Sequence, residues 1–327
     1  MYRGWCQAAY EHELDAELTP VVVGPTPLVL ARTPESIRAF DASCPHRGAH
    51  LGYGGQLDGD VIICPFHGKR IGLGAGTGRY RVREHPVLGY GGMVFVHRGA
   101  GPDNGFGTFL DGLAASHLFI PGFSRSVTAR ADLVVENAFD ATHFRPVHGI
   151  ANEPSFTILA EEPACPNEPA RPNETAQTGT FAVTGTFVLP ASPWQRARPG
   201  THTGTRNMSV PFVARAFSPY IVVSRLGGDH PYVTITAATP RPEGGCVIRF
   251  SLAIPTMTHA AISADRREGL YRYLMERSLA GIEQDVPIWE HLIEPPAPGY
   301  DAADGVVVAF REFRESFRAL DTREPGR

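Results

Sequence analysis

Short apolar runs broken by glycine and proline set the pattern of roughly the first hundred residues. Residues 20–32 (PVVVGPTPLVLAR) hold two such runs around Gly24, Pro25 and Pro27, which predicts a hairpin or a pair of strands. Residues 37–41 predict a further short strand that feeds directly into Cys44. Glycines crowd the stretch 48–59 and predict a loop and turn before a strand over 60–64 (DVIIC). More glycines at 68, 72, 74, 76 and 78 predict loops with close backbone approaches. Residues 80–84 and 93–98 read as closing strands, so this part of the chain is expected to be a small all-β unit.

The stretch 99–112 (GAGPDNGFGTFLDG) has turn composition and marks the expected boundary between residues 1–103 and 104–327. Residues 124–136 then read as strand. Residues 161–180 are polar, with Pro163, Pro166, Pro169 and Pro172, and predict an exposed mobile loop carrying Cys165. Strand-like runs return at 181–189, 208–214, 220–225, 232–237 and 247–254, the pattern of one large antiparallel sheet. Residues 261–285 predict a helix capped by Ser263, with Leu270, Leu274 and Leu279 at apolar positions and Gly269 as a weak point. A sheet followed by a long helix indicates a mixed α/β chain of the α+β kind rather than a parallel βαβ fold. The sequence holds no internal repeat, phosphate-cradling glycine motif or G-x-S-x-G elbow.

A length of 327 residues with 43% hydrophobic and 20% charged positions allows a full core and suggests two domains. The formal charge of -4 leaves no basic footprint for nucleic acid. No apolar run approaches the about 20 residues of a membrane span. The opening MYRGWCQAAYEHEL lacks the basic flank and apolar core of a signal peptide. Five cysteines, an odd number in a long chain, argue against a disulfide-stapled secreted scaffold. The expected location is therefore cytoplasmic, with the cysteines reduced or metal-bound.

Two pairs carry candidate metal chemistry, Cys44-x-His46 (CPHRGAH) and Cys64-x-x-His67 (CPFHGK). Thiolates and imidazoles converging from two turns suit either an iron–sulfur cluster or a structural zinc. A second group lies in residues 137–148 (NAFDATHFRPVH). Asn137, Asp140 and His143 recur at a spacing of three and would share one face of a helix. His148 lies beyond Pro146, whose kink could turn it back toward the same metal. Iron that binds oxygen commonly uses two histidines and one carboxylate with open positions. The run EQDVPIWEH offers Asp285, with Glu283 as its rival. A solvated helix carrying these residues by chance is the bland alternative for this segment.

The C-x-H…C-x-x-H pairing resembles the Rieske [2Fe–2S] pattern over about residues 1–100. The run 137–148, with D-V-x-I-W later, resembles the catalytic domain of Rieske non-haem iron oxygenases. The nearest flavour is the branch of ketosteroid hydroxylases and cholesterol 7-desaturases, whose closing helix residues 306–317 (VVVAFREFRESF) also resemble. The resemblance implies an N-terminal all-β Rieske domain and a catalytic domain of helix-grip, START-like form. Cys44 and Cys64 would bind one iron of the cluster, and His46 and His67 the other. Neutral imidazoles in place of two thiolates raise the potential. Lys69 departs from the pattern, standing where an aromatic often follows the second His-Gly. His143, His148 and Asp285 would hold Fe(II), and Asn137 would lie near it. Asp140 would hydrogen-bond His143 and link it to His67 of a neighbouring subunit.

The same resemblance implies a terminal oxygenase that takes O2 and two electrons. The electrons would come from NAD(P)H through a flavin reductase or ferredoxin partner. The enzyme would hydroxylate a C–H bond of a hydrophobic small molecule, sterol-like or another natural product. Desaturation or oxidative demethylation by the same iron, and a Rieske electron carrier without a second iron, are the alternatives. A head-to-tail homotrimer is implied as well, since the family brings its two metals close across subunits. Phe139, Phe144 and Phe156 flank the iron segment and, with Phe212, Phe217, Tyr220, Met257 and His259, are candidate pocket liners, although an apolar residue is more often core than substrate wall.

Overall fold

Four sheets among the described residues, almost wholly antiparallel, form the framework of the molecule. The computed structural model describes residues 2–75, 78–99, 104–159, 179–190, 207–228 and 231–318. Gly76, residues 100–103 at the expected boundary, and residues 161–178 of the expected loop with Cys165 lie outside the described residues.

In the N-terminal part, Leu18–Val23, Thr26–Arg32, Ile37–Asp41 and Glu84–His85 form one four-stranded sheet in that order. Gly24 closes the first hairpin at φ 62°, a left-handed value that favours glycine. Gln56–Asp58, Val61–Ile63, Arg70–Leu73 and Arg81–Val82 form a second sheet, whose last pair is parallel. Leu18, Val29, Phe40, Leu51, Ile62 and Ile71 pack into one core that also takes in Cys44 and Cys64.

A third sheet sets Met93–Arg98 between Gly4–Tyr10 and Val87–Tyr90. The strand Gly4–Tyr10 had no clear sequence signal, because it is buried along its whole length and so does not alternate. Trp5, Met93 and Phe95 pack with Phe217, Ile221 and Ile235 of the large sheet, and Phe106, Leu110 and Leu113 join them. The last three lie on a helix, Phe106–Ala114, inside the stretch expected to be all turn. Their spacing of four and three is one helix face, and its burial outweighs the cost of Gly107 and Gly112.

The seven-stranded antiparallel sheet runs His117–Val127, Cys246–Pro255, Tyr232–Pro240, Ile221–Leu226, Asn207–Ser218, Phe181–Pro190 and Thr157–Ile158. Its other face takes the long helix Ala264–His291, with Phe250, Leu252 and Ile254 against Leu270 and Leu274. This is the expected helix-grip arrangement. Ser263 occupies the N-cap position, but its side chain makes no capping hydrogen bond.

The expectation of strand over 124–136 is corrected beyond Val127, since Ala131–Glu136 is a helix with every residue buried. A short continuous apolar run looks the same in a buried strand and a buried helix. Charge pairing holds this helix in place. The closing helix Gly305–Glu315 sends buried Arg314 to Asp132 at 2.9 Å and Glu136 at 3.1 Å, while Arg311 reaches Glu136 at 2.6 Å. The chain leaving Glu136 therefore enters residues 137–148 from a fixed point.

Candidate metal centres

Residues 137–148 do not form the single helix their spacing suggested. Asn137–Phe139 is one 3-10 turn, Asp140 is extended at φ -87° and ψ 101°, and Phe144–His148 is a separate short helix. The break at Asp140, rather than a kink at Pro146, turns the segment back on itself. Gly149 ends the short helix at φ 64°. Phe139 anchors the turn by stacking on Phe310 at 4.8 Å, with Phe181 edge-on at 5.1 Å.

This path brings His143 and His148 to Asp285 of the long helix. One ligand-type atom from each lies within 4.8 Å of the others. His148 Nε2 stands 3.4 Å from Asp285 Oδ1, and the two imidazole rings are 5.1 Å apart at 82°. Both rings are oriented through their other nitrogen. His143 Nδ1–H donates to the Asp140 backbone carbonyl at 2.6 Å, and His148 Nδ1–H to Gln284 Oε1 at 2.8 Å. Both Nε2 lone pairs are thereby directed to a common point, the tautomer a metal requires. The Asn137 amide donates to His143 Nε2 at 2.9 Å and to Asp285 Oδ2 at 3.2 Å, so it occupies the His143 lone pair that a metal would take and would give it up on metal binding.

Burial sets the electrostatics. Desolvation lowers the pKa of His143 against the opposing pull of Asp140, so the ring is neutral and can offer a lone pair. Burial pushes Asp285 up to about 6, while His148 and Asn137 act to lower it. A buried carboxylate with no cation in contact favours a positive ion beside it.

The rival Glu283 points elsewhere. It is exposed and makes a two-pronged ion pair with Arg125 at 2.7 and 3.3 Å. Gln284 had no sequence signal beyond standing next to Asp285. Its job depends on the rotation of the helix relative to His148. Asp140 meets its expectation only in part, since its backbone carbonyl and not its carboxylate holds His143. Asp140 Oδ1 accepts from Thr142 N at 3.0 Å and Oγ1 at 2.8 Å, while Oδ2 lies 3.9 Å from His143 Nδ1.

In the N-terminal part the two Cys–His loops repeat one backbone design. Gly48 N–H donates to Cys44 O at 2.8 Å and Gly68 N–H to Cys64 O at 3.0 Å. Cys44 N–H closes onto Ala49 O and Cys64 N–H onto Lys69 O, each at 2.8 Å. The two loops face each other, with the His46 and His67 rings 4.9 Å apart. Both cysteines are buried. Burial raises the Cys44 thiol pKa, and contact with Cys64 raises it further. His46 Nδ1 is buried with no hydrogen-bond partner among the described residues. A buried orphan nitrogen facing a second histidine and two thiols fits ligation by a cluster. His67 itself is exposed.

The candidate pocket liners divide. Phe144, Phe156 and Phe212 join Phe187 in one aromatic group, with Phe187 4.7 Å from both Phe144 and Phe212 and Phe156 5.4 Å from Phe212. Phe217 packs on the opposite sheet face against Phe106, and Phe139 belongs to the core described above. The buried Tyr220 hydroxyl accepts from Tyr2 N–H at 3.1 Å. Met257 is exposed, and His259 is held between Tyr271 and Arg267.

Two family models match the chain, the Rieske [2Fe-2S] domain over residues 4–88 and the 3-ketosteroid 9alpha-hydroxylase C-terminal domain over residues 114–317. A cholesterol 7-desaturase of Xenopus laevis is 38% identical over 111 residues, covering 28% of this chain and 23% of the relative. The oxygenase component of dicamba O-demethylase from Stenotrophomonas maltophilia is 29% identical over 164 residues, 44% of this chain and 46% of the relative. The matched stretches thus span less than half the length of either relative. Among solved structures, dicamba monooxygenase bound to 3,6 dichlorosalicylic acid superposes with a TM-score of 0.67 at 18% identity, covering 96% of both chains. Pseudomonas putida NdmB gives 0.65 at 17% identity, covering 95% of this chain and 89% of the other. These likenesses establish the fold. Since the hydroxylase model takes in the sheet, the long helix and the two-histidine segment, and the Rieske model the paired Cys–His loops, this chain belongs to the Rieske non-haem iron oxygenases.

Proposed function

We propose that the protein is the terminal component of an oxygenase system. In this reading residues 1–103 carry a Rieske cluster and residues 104–327 a mononuclear iron. Cys44, His46, Cys64 and His67 would hold the cluster, and His143, His148 and Asp285 the iron. The observation that carries the reading is the convergence of those last three residues within 4.8 Å, with both histidines fixed in the metal-binding tautomer. Bound there, the two groups would supply electrons one at a time and activate O2 for attack on a C–H bond of a hydrophobic small molecule.

The chain's own residues do the rest. Asp140 O and Gln284 hold the imidazole rings in the metal-binding tautomer, so that only the Asn137 amide would have to release His143 Nε2 when metal enters. Asn137 keeps His143 and Asp285 in register with each other. Phe144 lies beside His148 and is backed by Phe187, which packs on Phe212, so this side of the site has an apolar wall. Hydroxylation is the reading we favour, with desaturation or oxidative demethylation as outcomes of the same site. A ferredoxin or flavin reductase, fed by NAD(P)H, is the proposed electron source, the cytoplasm the proposed location and a homotrimer the proposed assembly. No helix among the described residues is long and apolar enough to cross a membrane.

Metal and sulfide analysis of anaerobically purified protein tests this. Three irons and two sulfides per chain are expected, and Asp285→Ala should retain two irons and two sulfides with the Rieske absorption intact. Two irons in the unmodified protein would mean an electron carrier, and zinc without sulfide would overturn both readings.

A further inference from the structure

An apolar hollow lies between the long helix and the sheet of the catalytic domain, and an exposed arginine that no metal chemistry requires stands at its edge. The hollow has a volume of about 750 Å³, counted out to its open mouth. Its walls include Leu189, Val210, Leu226, Leu270 and Leu274, and Arg277 stands among them. Arg277 has no ion-pair partner among the described residues. It is near enough to Tyr232, another wall residue, to pull that hydroxyl's pKa down against burial, which holds it up at about 12.

Neighbouring residues on both walls run from the hollow toward the two histidines and Asp285. On the sheet side, Val210 pairs with Phe187, and Leu226 with Phe212. Phe187 packs on both Phe212 and Phe144, and the Phe144 ring is 5.8 Å from His148. On the helix side, Leu274, Gly281 and Asp285 follow one another at spacings of seven and four, so they share a face. A Cβ at Gly281 would meet nothing within 4 Å, so there is room beside the helix at Gly281. Arg277 precedes Asp285 by eight residues, about 12 Å along the axis at ~1.5 Å per residue.

We infer that the hollow is the substrate site and that it takes an elongated amphipathic anion, its carboxylate or sulfonate on Arg277 and its apolar body laid over Gly281. The carbon to be oxidised would then lie about 12 Å from the acidic group. This rests on the oxygenase reading for the Asp285 end alone. The Arg277 end stands on the lining and on a guanidinium without an ion-pair partner among the described residues, which is suited to bind such an anion through two parallel hydrogen bonds.

A pair of dyes separates charge from apolar contact: 8-anilinonaphthalene-1-sulfonate and the uncharged N-phenyl-1-naphthylamine, which keeps the aryl body without the sulfonate. Fluorescence titration of the intact holoprotein should show saturable binding of both. Arg277→Gln should weaken the sulfonate about tenfold and leave the neutral dye unchanged. Arg277→Lys should restore most of the loss, and Leu226→Trp, which fills the hollow, should abolish both. Equal sulfonate affinity in Arg277→Gln, binding that survives Leu226→Trp, or no sulfonate binding to the unmodified protein would each overturn the inference. Iron and sulfide are measured on the same samples. A missing third iron would strike the oxygenase reading without touching the dye result, and a negative dye result would leave the iron count standing.

Discussion

Gln284 and Glu283 are adjacent on the long helix, and the turn of about 100° between them gives them unrelated tasks. Gln284 accepts from His148 Nδ1 at 2.8 Å and so fixes which nitrogen faces Asp285. Gln284→Leu should therefore weaken iron binding at this centre by roughly 10- to 100-fold, the usual effect of removing a partner that orients a metal-binding histidine. Competition with a chelator of known affinity measures this, with the Rieske absorption as an internal control. Glu283→Gln breaks only an exposed pair with Arg125 and should leave iron affinity unchanged. A loss from Glu283→Gln equal to that from Gln284→Leu would return Glu283 to candidacy as the carboxylate ligand.

At the level of elements, two ion-pair groups hold the metal-bearing pieces in position. Asp132 and Glu136 lie on the helix that leads into Asn137, and Arg314 of the closing helix is buried against both. Removing one partner strands charge in a low dielectric. Arg314→Met should cost about 3 kcal/mol, the lower end for a broken buried pair because Arg130 and Arg311 remain. Denaturant unfolding of metal-loaded and metal-free protein measures it. The second group joins the N-terminal part to the large sheet through Glu13, paired with Arg249 at 3.0 Å. Burial raises the Glu13 pKa, but Arg249, the Tyr10 N–H and the Ser124 hydroxyl outweigh it, so the net shift is below the ordinary 4.5. A carboxylate with a lowered folded pKa stabilises the protein fully above its unfolded value and ceases to do so as pH falls below it. Melting temperature should thus drop below about pH 4.5 less steeply in Glu13→Gln than in the parent.

For the whole molecule, the exposed ring of His67 and the partly exposed carboxylate of Asp140 belong to opposite parts of one chain. A ring of copies in which each His67 meets the next chain's Asp140 would give His67 an acceptor and the Asp140 carboxylate a further donor. Sedimentation equilibrium should then return a mass three times the 35.4 kDa of the chain. In that assembly Asp140→Asn should leave the cluster reducible by dithionite while removing nearly all product formation. A monomer of full activity, or an active Asp140→Asn trimer, would rule the arrangement out.

Local chemistry determined much of this in the sequence alone. Cys44, His46, Cys64 and His67 stand out because a metal turn needs its ligands close together along the chain, and the strands of the large sheet stand out because side chains alternate. His143 and His148 were legible for the first reason. The tertiary structure decided what depends on orientation between distant segments: that Asp285 and not Glu283 faces the histidines, that Gln284 holds one of them, and that Asp140 serves through its carbonyl. It also revealed Gly4–Tyr10 and Ala131–Glu136, whose burial on all sides erases the periodicity that marks a half-exposed element, and Phe106–Ala114, whose single apolar face is masked by the glycines around it. Spacing along a chain fixes which side chains can share a turn, but only packing fixes which faces meet.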